Sequence, residues 1–387
     1  MTGSLKSNKY DVIIVGAGPA GATLAYQLAR KGIRVLLVEK QKLPRAKCCA
    51  GGITAKAARL FDFDISPVVE DAVYEITFTF NFDNPYVGRC ERPLLYTVKR
   101  DAFDYFLTGK AVEQGVVLLE ACEPRQIQLS DTDVRVDTGC DVFSSQLIVG
   151  ADGAYSRVAR ELGQKQGVEY IAAMLAQVVM PLGALELWRS RAQVDLGCTP
   201  GGYAWIFPKR NHLCVGVGSP MEEKRKLADY LHKLLGFAGL GGYPSEGTCA
   251  HLIPTWKKGR EVVKGRVLLL GDAAGFADPL TGEGIYYAVR SAQLAASVIE
   301  DFLQGHTVGL GKYQGLVETE LIPDLAVAGK VAKVLSRFPQ QAFTLLHQSK
   351  EVWKLICGLM YGELSYVIIE EALGGWENIV GKLSGKQ

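Results

Sequence analysis

A run of β-branched residues, Val12, Ile13, Ile14 and Val15, leads into Gly16-Ala17-Gly18-Pro19-Ala20-Gly21, an order of residue types suited to holding an anion. Lacking Cβ atoms, the glycines let backbone N–H groups approach a phosphate, and a helix starting at Pro19 turns the positive end of its dipole toward it. Glu39 follows about 20 residues later, at the end of the next strand, where a carboxylate accepts from ribose hydroxyls and repels a 2′-phosphate. Glycine turns are common, so the pattern alone is weak. A strand before it and a helix after it make it a dinucleotide site.

Two later segments repeat the logic. Ile148-Val149-Gly150-Ala151-Asp152-Gly153 and Leu269-Leu270-Gly271-Asp272-Ala273-Ala274-Gly275 each end an apolar strand with Gly and Asp, placing a carboxylate at the sheet edge where open α/β folds bind ligands. Asp272 suits a polyhydroxy chain such as the ribitol of FAD. Singly, each Asp is a common turn former or N-cap. Together with the opening motif, they predict three distant stretches of chain sharing one FAD.

The elements that must position these groups follow from periodicity. The first 40 residues read as a βαβ unit: strand Tyr10 to Val15, helix Pro19 to Lys31, strand Arg34 to Val38. Val12 to Ala29 carries no charge over about the length of a membrane helix, but its glycines and proline favour strand, turn and helix. Alternation at Tyr74, Ile76, Phe78 and Phe80 predicts a half-exposed antiparallel strand, and Arg100 to Gly115 a helix. From Gly167 to Gly259, strand patterns broken by Pro and Gly imply an antiparallel lobe with one amphipathic helix near Met221 to Leu235. Ile285, Val289, Ala292, Ala296, Ile299 and Leu303 recur at helical spacing.

The predicted fold class is therefore α/β: a Rossmann-like, G-x-G-x-x-G dinucleotide-binding FAD domain assembled from separated segments, an inserted antiparallel β-sheet substrate domain, and a helical C-terminal region. The boundaries are 1–70, 96–166 and 262–305 for the FAD domain, 71–95 and 167–261 for the substrate domain, and 306–387 for the helical region.

The three segments, with Gly271 to Ile285 read in full as Gly-Asp-Ala-Ala-Gly-Phe-Ala-Asp-Pro-Leu-Thr-Gly-Glu-Gly-Ile, resemble the fingerprints of FAD enzymes of the para-hydroxybenzoate hydroxylase fold, over about Tyr10 to Leu303. Two more segments, Lys47-Cys48-Cys49-Ala50-Gly51-Gly52-Ile53-Thr54 and Gly202-Tyr203-Ala204-Trp205-Ile206-Phe207-Pro208-Lys209, are similar to those of the geranylgeranyl reductase family. The resemblance implies pyrophosphate contacts from Gly16, Gly18 and Gly21, ribose contact by Glu39, Arg100 near the cofactor, and Asp272 on the ribitol. It implies that Pro279 and Gly282 to Gly284 cup the isoalloxazine, and it extends the cofactor set to Pro19, Ala20, Lys40, Gly51, Gly52, Asp152, Gly153, Gly271, Glu283 and Ile285. A helix beginning near Gly284 would aim its N–H groups at the flavin.

By the same resemblance the catalytic cysteine falls at Cys49, with Ala50 standing where the family has a third glycine and a second thiol, Cys48, beside it. Saturating an isolated alkene takes a hydride on one carbon and a proton on the other, so a thiol near the substrate could relay the proton. The alternative is a buried structural cysteine. Tyr203, Trp205 and Phe207 share one strand face and would line either an isoprenoid tunnel or an ordinary core. Trp205 also fits part of the Trp-x-Trp-x-Ile pattern of flavin halogenases, but Tyr203 stands where their first Trp would be.

Composition removes other classes. Hydrophobic residues at 48% and charged residues at 22% describe a globular chain, and a net charge of +2 is too even to predict nucleic acid as a partner. Nine cysteines, with no Cys-x-x-Cys pair and no signal-peptide start, suggest reduced thiols in the cytoplasm. Five isolated histidines offer no metal site. No second nucleotide motif follows, Gly236 to Gly242 being a loop after a helix, so the electron donor is NAD(P)H docking transiently or an external carrier such as ferredoxin. Val352 to Leu364 forms an amphipathic stretch that covers the substrate lobe or contacts a membrane surface peripherally. Lys209, Arg210, Lys257, Lys258 and Arg260 could meet a diphosphate or lipid head, or be a solvated face. The first functional expectation is an FAD-dependent reductase of geranylgeranyl chains, free as the diphosphate or linked to lipid or pigment. The alternatives are an aromatic or quinone monooxygenase of the same fold and a flavoprotein passing electrons to a membrane quinone.

Overall fold

The computed structural model describes residues 8–161, 163 and 168–375. Its strands Val12–Val15, Val35–Val38, Leu147–Gly150 and Val267–Leu269 are buried at every position, as expected of parallel strands covered on both faces. They belong to a six-stranded sheet in the order Val263–Lys264, Val267–Leu269, Leu147–Gly150, Val12–Val15, Val35–Val38, Val117–Leu119. All neighbours are parallel except the Val263–Lys264 edge. The strand order reverses at Val12–Val15, which opens a crevice at the carboxyl ends of the strands. Helix Pro19–Ala29 packs between helices Arg100–Glu113 and Ile285–Leu303, with buried Ala22, Ala25, Ala292 and Ala296 allowing close approach.

The second lobe is a seven-stranded sheet in the order Ser245–Trp256, Val168–Val179, His212–Pro220, Tyr203–Pro208, Arg191–Leu196, Glu75–Phe80, Asp83–Arg89. Glu75–Phe80 pairs antiparallel with Asp83–Arg89 as its alternation predicts, but parallel with Arg191–Leu196 on its other side. Val69–Val73 and Leu95–Val98 sit apart from this sheet, in a three-stranded sheet with Gly52–Thr54 between the lobes. The helix expected from Met221 starts as a 3₁₀ turn, Met221–Lys226, and becomes α-helical over Leu227–Phe237.

Helices Gly311–Glu320, Ile322–Arg337, Pro339–Gln348, Lys350–Tyr361 and Tyr366–Ala372 form the expected C-terminal region, whose 376–387 portion lies outside the described residues. The start of the FAD domain, 1–7, and residues 162 and 164–167 also lie outside them. Among the described residues no helix is long and apolar enough to cross a membrane, and no group of side chains could hold a metal ion.

Candidate functional site: a cavity joining the two lobes

The crevice opens into one cavity of about 910 Å³ that runs from the glycine turn at Gly16 to the C-terminal helices. At its polar end the backbone is tightly folded. Gly16 holds φ +102°, and a Cβ there would meet the Ala151 carbonyl oxygen at 2.4 Å. Gly18, Pro19 and Ala20 line the wall, and the helix they open has no acidic residue in its first turn, so its positive end is unopposed. Gly21 does not line the cavity. Its missing Cβ makes room for the Gly16 carbonyl, which would otherwise lie at 1.9 Å, so this glycine serves packing rather than ligand contact.

Glu39 is buried, accepting from Ala17 N–H at 3.0 Å and Gln41 N–H at 3.1 Å. Arg45 joins it to fully buried Asp104, at 3.3 and 3.0 Å, and Asp104 also accepts two hydrogen bonds from Arg100. Burial works against the Arg100 charge, but Asp104 and then Cys49 outweigh it and raise its pKa. Cys49 thus lies within electrostatic reach of the guanidinium. A continuous row of alternating charges, Glu39, Arg45, Asp104 and Arg100, therefore runs from beside the glycine turn toward Cys49.

Asp152 and Gly153 line the cavity, but the Asp152 carboxylate accepts from Arg157 N–H at 2.7 Å, Val158 N–H at 3.2 Å and Ser156 Oγ at 2.5 Å. It caps the short helix Arg157–Glu161, and only its loop faces the ligand space. Asp272 differs: its carboxylate accepts no hydrogen bond from the described residues and faces the cavity. Burial raises its pKa, opposed by Lys47 and Arg100. Lys47 in turn is lowered by burial, with Asp272 opposing, and meets His251 Nε2 at 3.1 Å. Gly271, at φ +50°, lies behind the wall, where a Cβ would meet that of Ala288 at 3.1 Å.

The turn from Asp278 to Gly284 closes the far side. Asp278 is fully buried and accepts from Leu280 N–H at 2.7 Å, Thr281 N–H at 3.1 Å and Tyr366 O–H at 2.9 Å. Gly282, Glu283, Gly284 and Ile285 line the cavity, whereas Pro279 is turned away toward Gly329. Glu283 pairs with Lys56 at 3.0 Å and accepts from Thr54 Oγ1 at 2.5 Å, so its carboxylate braces the turn. Helix Ile285–Leu303 starts at Gly284 with no acidic residue in its first turn, leaving its N–H groups directed at the cavity. Lys40, exposed, stands at the opposite rim.

Cys49, Gly51 and Gly52 form the floor where the polar end meets an apolar chamber. Gly51 N–H donates to Cys49 Sγ at 3.4 Å. The neighbouring Cys48 is not a thiol: it is joined to Cys249 of the edge strand Ser245–Trp256. This overturns the expectation of reduced cysteines throughout. The partners are 201 residues apart, and only the fold brings them together, so no spacing rule could have found the pair. With Cys48 engaged, Cys49 is the free thiol of the turn.

Tyr203, Trp205 and Phe207 all line the chamber from strand Tyr203–Pro208. Gly216 on the neighbouring strand leaves room for the indole, since a Cβ there would come within 2.2 Å of it. Tyr203 O–H donates to the Thr281 carbonyl, tying the wall to the turn. Ile76, Phe78, Leu175 and Val194 continue the sheet side, and Leu335, Leu346, Ile356, Leu359 and Met360 of the C-terminal helices roof it.

Sequence reasoning assigned no role to Arg45, Asp104 or His251, which belong to no motif, nor to Lys47, which it quoted only as the first residue of the Lys47 to Thr54 segment; His251 sits on the edge strand Ser245–Trp256 and Asp104 on helix Arg100–Glu113. It also read Lys209 and Arg260 as parts of a charge cluster, yet both are buried. Lys209 Nζ donates to the carbonyls of Ala50 and Val98 at 2.7 and 2.8 Å, and Arg260 to that of Ala273 at 2.8 Å.

These features fit FAD: a turn in which Gly16 and Gly18 leave the backbone bare toward the cavity, a buried Glu39 carboxylate beside it, a cavity-facing Asp272 that accepts no hydrogen bond from the described residues, and two helix N-termini facing one cavity. Residues 9–313 match the family of FAD binding domains. The chain is 31% identical to geranylgeranyl diphosphate reductase of Synechocystis over 316 residues, 74% of each chain. It is 27% identical to digeranylgeranylglycerophospholipid reductase 2 of Methanopyrus kandleri over 381 residues, 90% of this chain and 93% of the other. Its fold matches that of a geranylgeranyl bacteriochlorophyll reductase-like protein of Thermoplasma acidophilum with a TM-score of 0.78 at 20% identity, covering 98% and 99% of the two chains. A glycine-cradled, two-lobed cavity and these relationships lead to one conclusion: the chain belongs to the geranylgeranyl reductase family of FAD-dependent oxidoreductases.

Proposed function

We propose that this enzyme reduces isolated carbon–carbon double bonds of a geranylgeranyl chain, carried on a diphosphate, a lipid or a pigment. The observation that carries the reading is the single cavity in which the cofactor-binding turn at Gly16 and the apolar chamber behind Trp205 are continuous, with Cys49 between them. Bound FAD, once reduced, supplies the hydride.

The protein's own groups do the rest. Tyr203, Trp205, Phe207 and the roof helices hold the chain by apolar contact and keep water from the alkene. The Cys49 thiol gives the proton to the carbon that does not take the hydride. Arg100, fixed by Asp104, stands ready to stabilise the resulting thiolate, and the Gly51 N–H group adds a second donor. Electrons reach the flavin from NAD(P)H or a ferredoxin-class carrier; the Gly236 to Gly242 segment lies at the end of helix Leu227–Phe237 and follows no strand.

Incubating the purified holoenzyme with a chemical reductant and geranylgeranyl diphosphate, phospholipid or pigment should yield products heavier by pairs of hydrogen atoms. Unchanged substrate in all three arms would overturn the reading. Products that gain oxygen would identify a monooxygenase.

A further inference from the structure

Two free cysteines outside the cavity touch each other. The Cys90 and Cys357 sulfurs lie 3.1 Å apart, across 267 residues of sequence. Cys90 follows the edge strand Asp83–Arg89, and Cys357 sits on helix Lys350–Tyr361, whose Ile356, Leu359 and Met360 roof the apolar chamber. The seam between them is built. Gly88 accommodates the Trp353 ring, which a Cβ would approach to 2.6 Å. Trp353 Nε1 donates to the Arg89 carbonyl at 3.4 Å, and Tyr361 O–H to that of Arg92 at 2.8 Å. Both cysteines are half-buried, and Cys90 lies between exposed Arg89 and Glu91.

We propose that Cys90 and Cys357 form a redox modification site, which a low-molecular-weight disulfide of the glutathione class oxidises to an intramolecular disulfide tying the chamber's roof to the sheet edge. The Cys90 thiolate attacks one sulfur of the reagent and expels the first thiolate. The Cys357 thiolate then attacks the Cys90 sulfur and expels the second. The two protein thiols are oxidised, the reagent disulfide is reduced, and the two protons pass to the expelled thiolates. Burial, and then its contact with Cys90, pushes the Cys357 thiol up to about 12, so little of it is thiolate near neutral pH and the second step relies on the Cys90 sulfur being held 3.1 Å away. Once closed, the link keeps the roof helix from swinging away from the sheet, so a long apolar ligand enters and leaves more slowly.

The test is to incubate the FAD-loaded full chain with oxidised glutathione and map it by mass spectrometry without reduction. The expected result is a loss of two hydrogen atoms, a peptide pair joining Cys90 to Cys357, and a melting temperature higher by about 5 °C. Cys90→Ser and Cys357→Ser should each abolish the cross-link and the shift. The proposal is overturned if exposed Cys140 acquires glutathione while Cys90 and Cys357 remain thiols or carry separate adducts. Mapping the unsubstituted chain decides the linkage even where a serine variant folds poorly.

Discussion

The ammonium group of Lys209 donates to the carbonyl of Ala50 at 2.7 Å, so the residue that follows the aromatic strand Tyr203–Pro208 holds the turn carrying Cys49. A second bond, to Val98 at 2.8 Å, fixes the same turn to the central three-stranded sheet. Burial lowers the Lys209 pKa, with Cys214 and Cys49 opposing. Lys209→Met strands these carbonyls, at a cost of about 1–3 kcal/mol. Displacing the thiol should lower kcat about tenfold or more with KM little changed, and Lys209→Arg should recover part of the loss. Steady-state kinetics and thermal melts on both variants check this; a Met variant with normal kcat would remove Lys209 from the positioning role.

Cys49→Ala deletes the proposed proton donor without touching the glycine cradle. Turnover should fall by about 10²–10⁴-fold while the flavin absorbance per protein stays that of the parent. Parental turnover in the alanine variant would show that another group delivers the proton.

Gly16→Ala places a methyl group 2.4 Å from the Ala151 carbonyl at a φ of +102° that an L residue resists. The variant should purify largely colourless, with FAD affinity reduced at least about tenfold, and the ratio of flavin to protein absorbance reads this directly.

His212 is buried, and burial, followed by the Lys99 and Lys209 charges, lowers its pKa from 6.5 to about 4. The unfolded chain therefore binds a proton that the folded one refuses between those values, and stability rises with pH across that window. Its contribution is complete above pH 6.5 and fades as pH falls toward 4, amounting to about 2 kcal/mol lost at pH 5. His212→Asn should flatten that part of the melting-temperature profile. An unchanged slope would assign the acid sensitivity to other groups, His251 among them, whose pKa burial and Lys47 likewise lower to about 4.

Local chemistry was legible in the sequence, and long-range chemistry was not. The Val12 to Val15 run, the glycine turn and Glu39 announce their structure because each step depends on neighbours within about 25 residues. The same glycine pattern conceals a division of labour: Gly16 and Gly18 face the ligand space, while Gly21 and Gly271 serve only the packing of backbone and helix behind it. Spacing cannot separate these roles. Asp152 and Asp272 likewise look alike as strand-ending carboxylates, yet one caps a helix and the other faces the cavity without accepting a hydrogen bond from the described residues. Lys209 and Cys249 act on partners that only the tertiary fold brings close, as Arg45 does on Asp104, and Lys209 binds backbone carbonyls that no side-chain pattern reports.

The parallel seam between Arg191–Leu196 and Glu75–Phe80 gives the chain an indivisible architecture. A break anywhere between Arg89 and Arg191 would leave each fragment holding parts of both lobes and the whole of neither. Neither fragment would carry a complete chamber, because its sheet wall takes Ile76 and Phe78 from one side of the break and Val194, Tyr203 and Trp205 from the other.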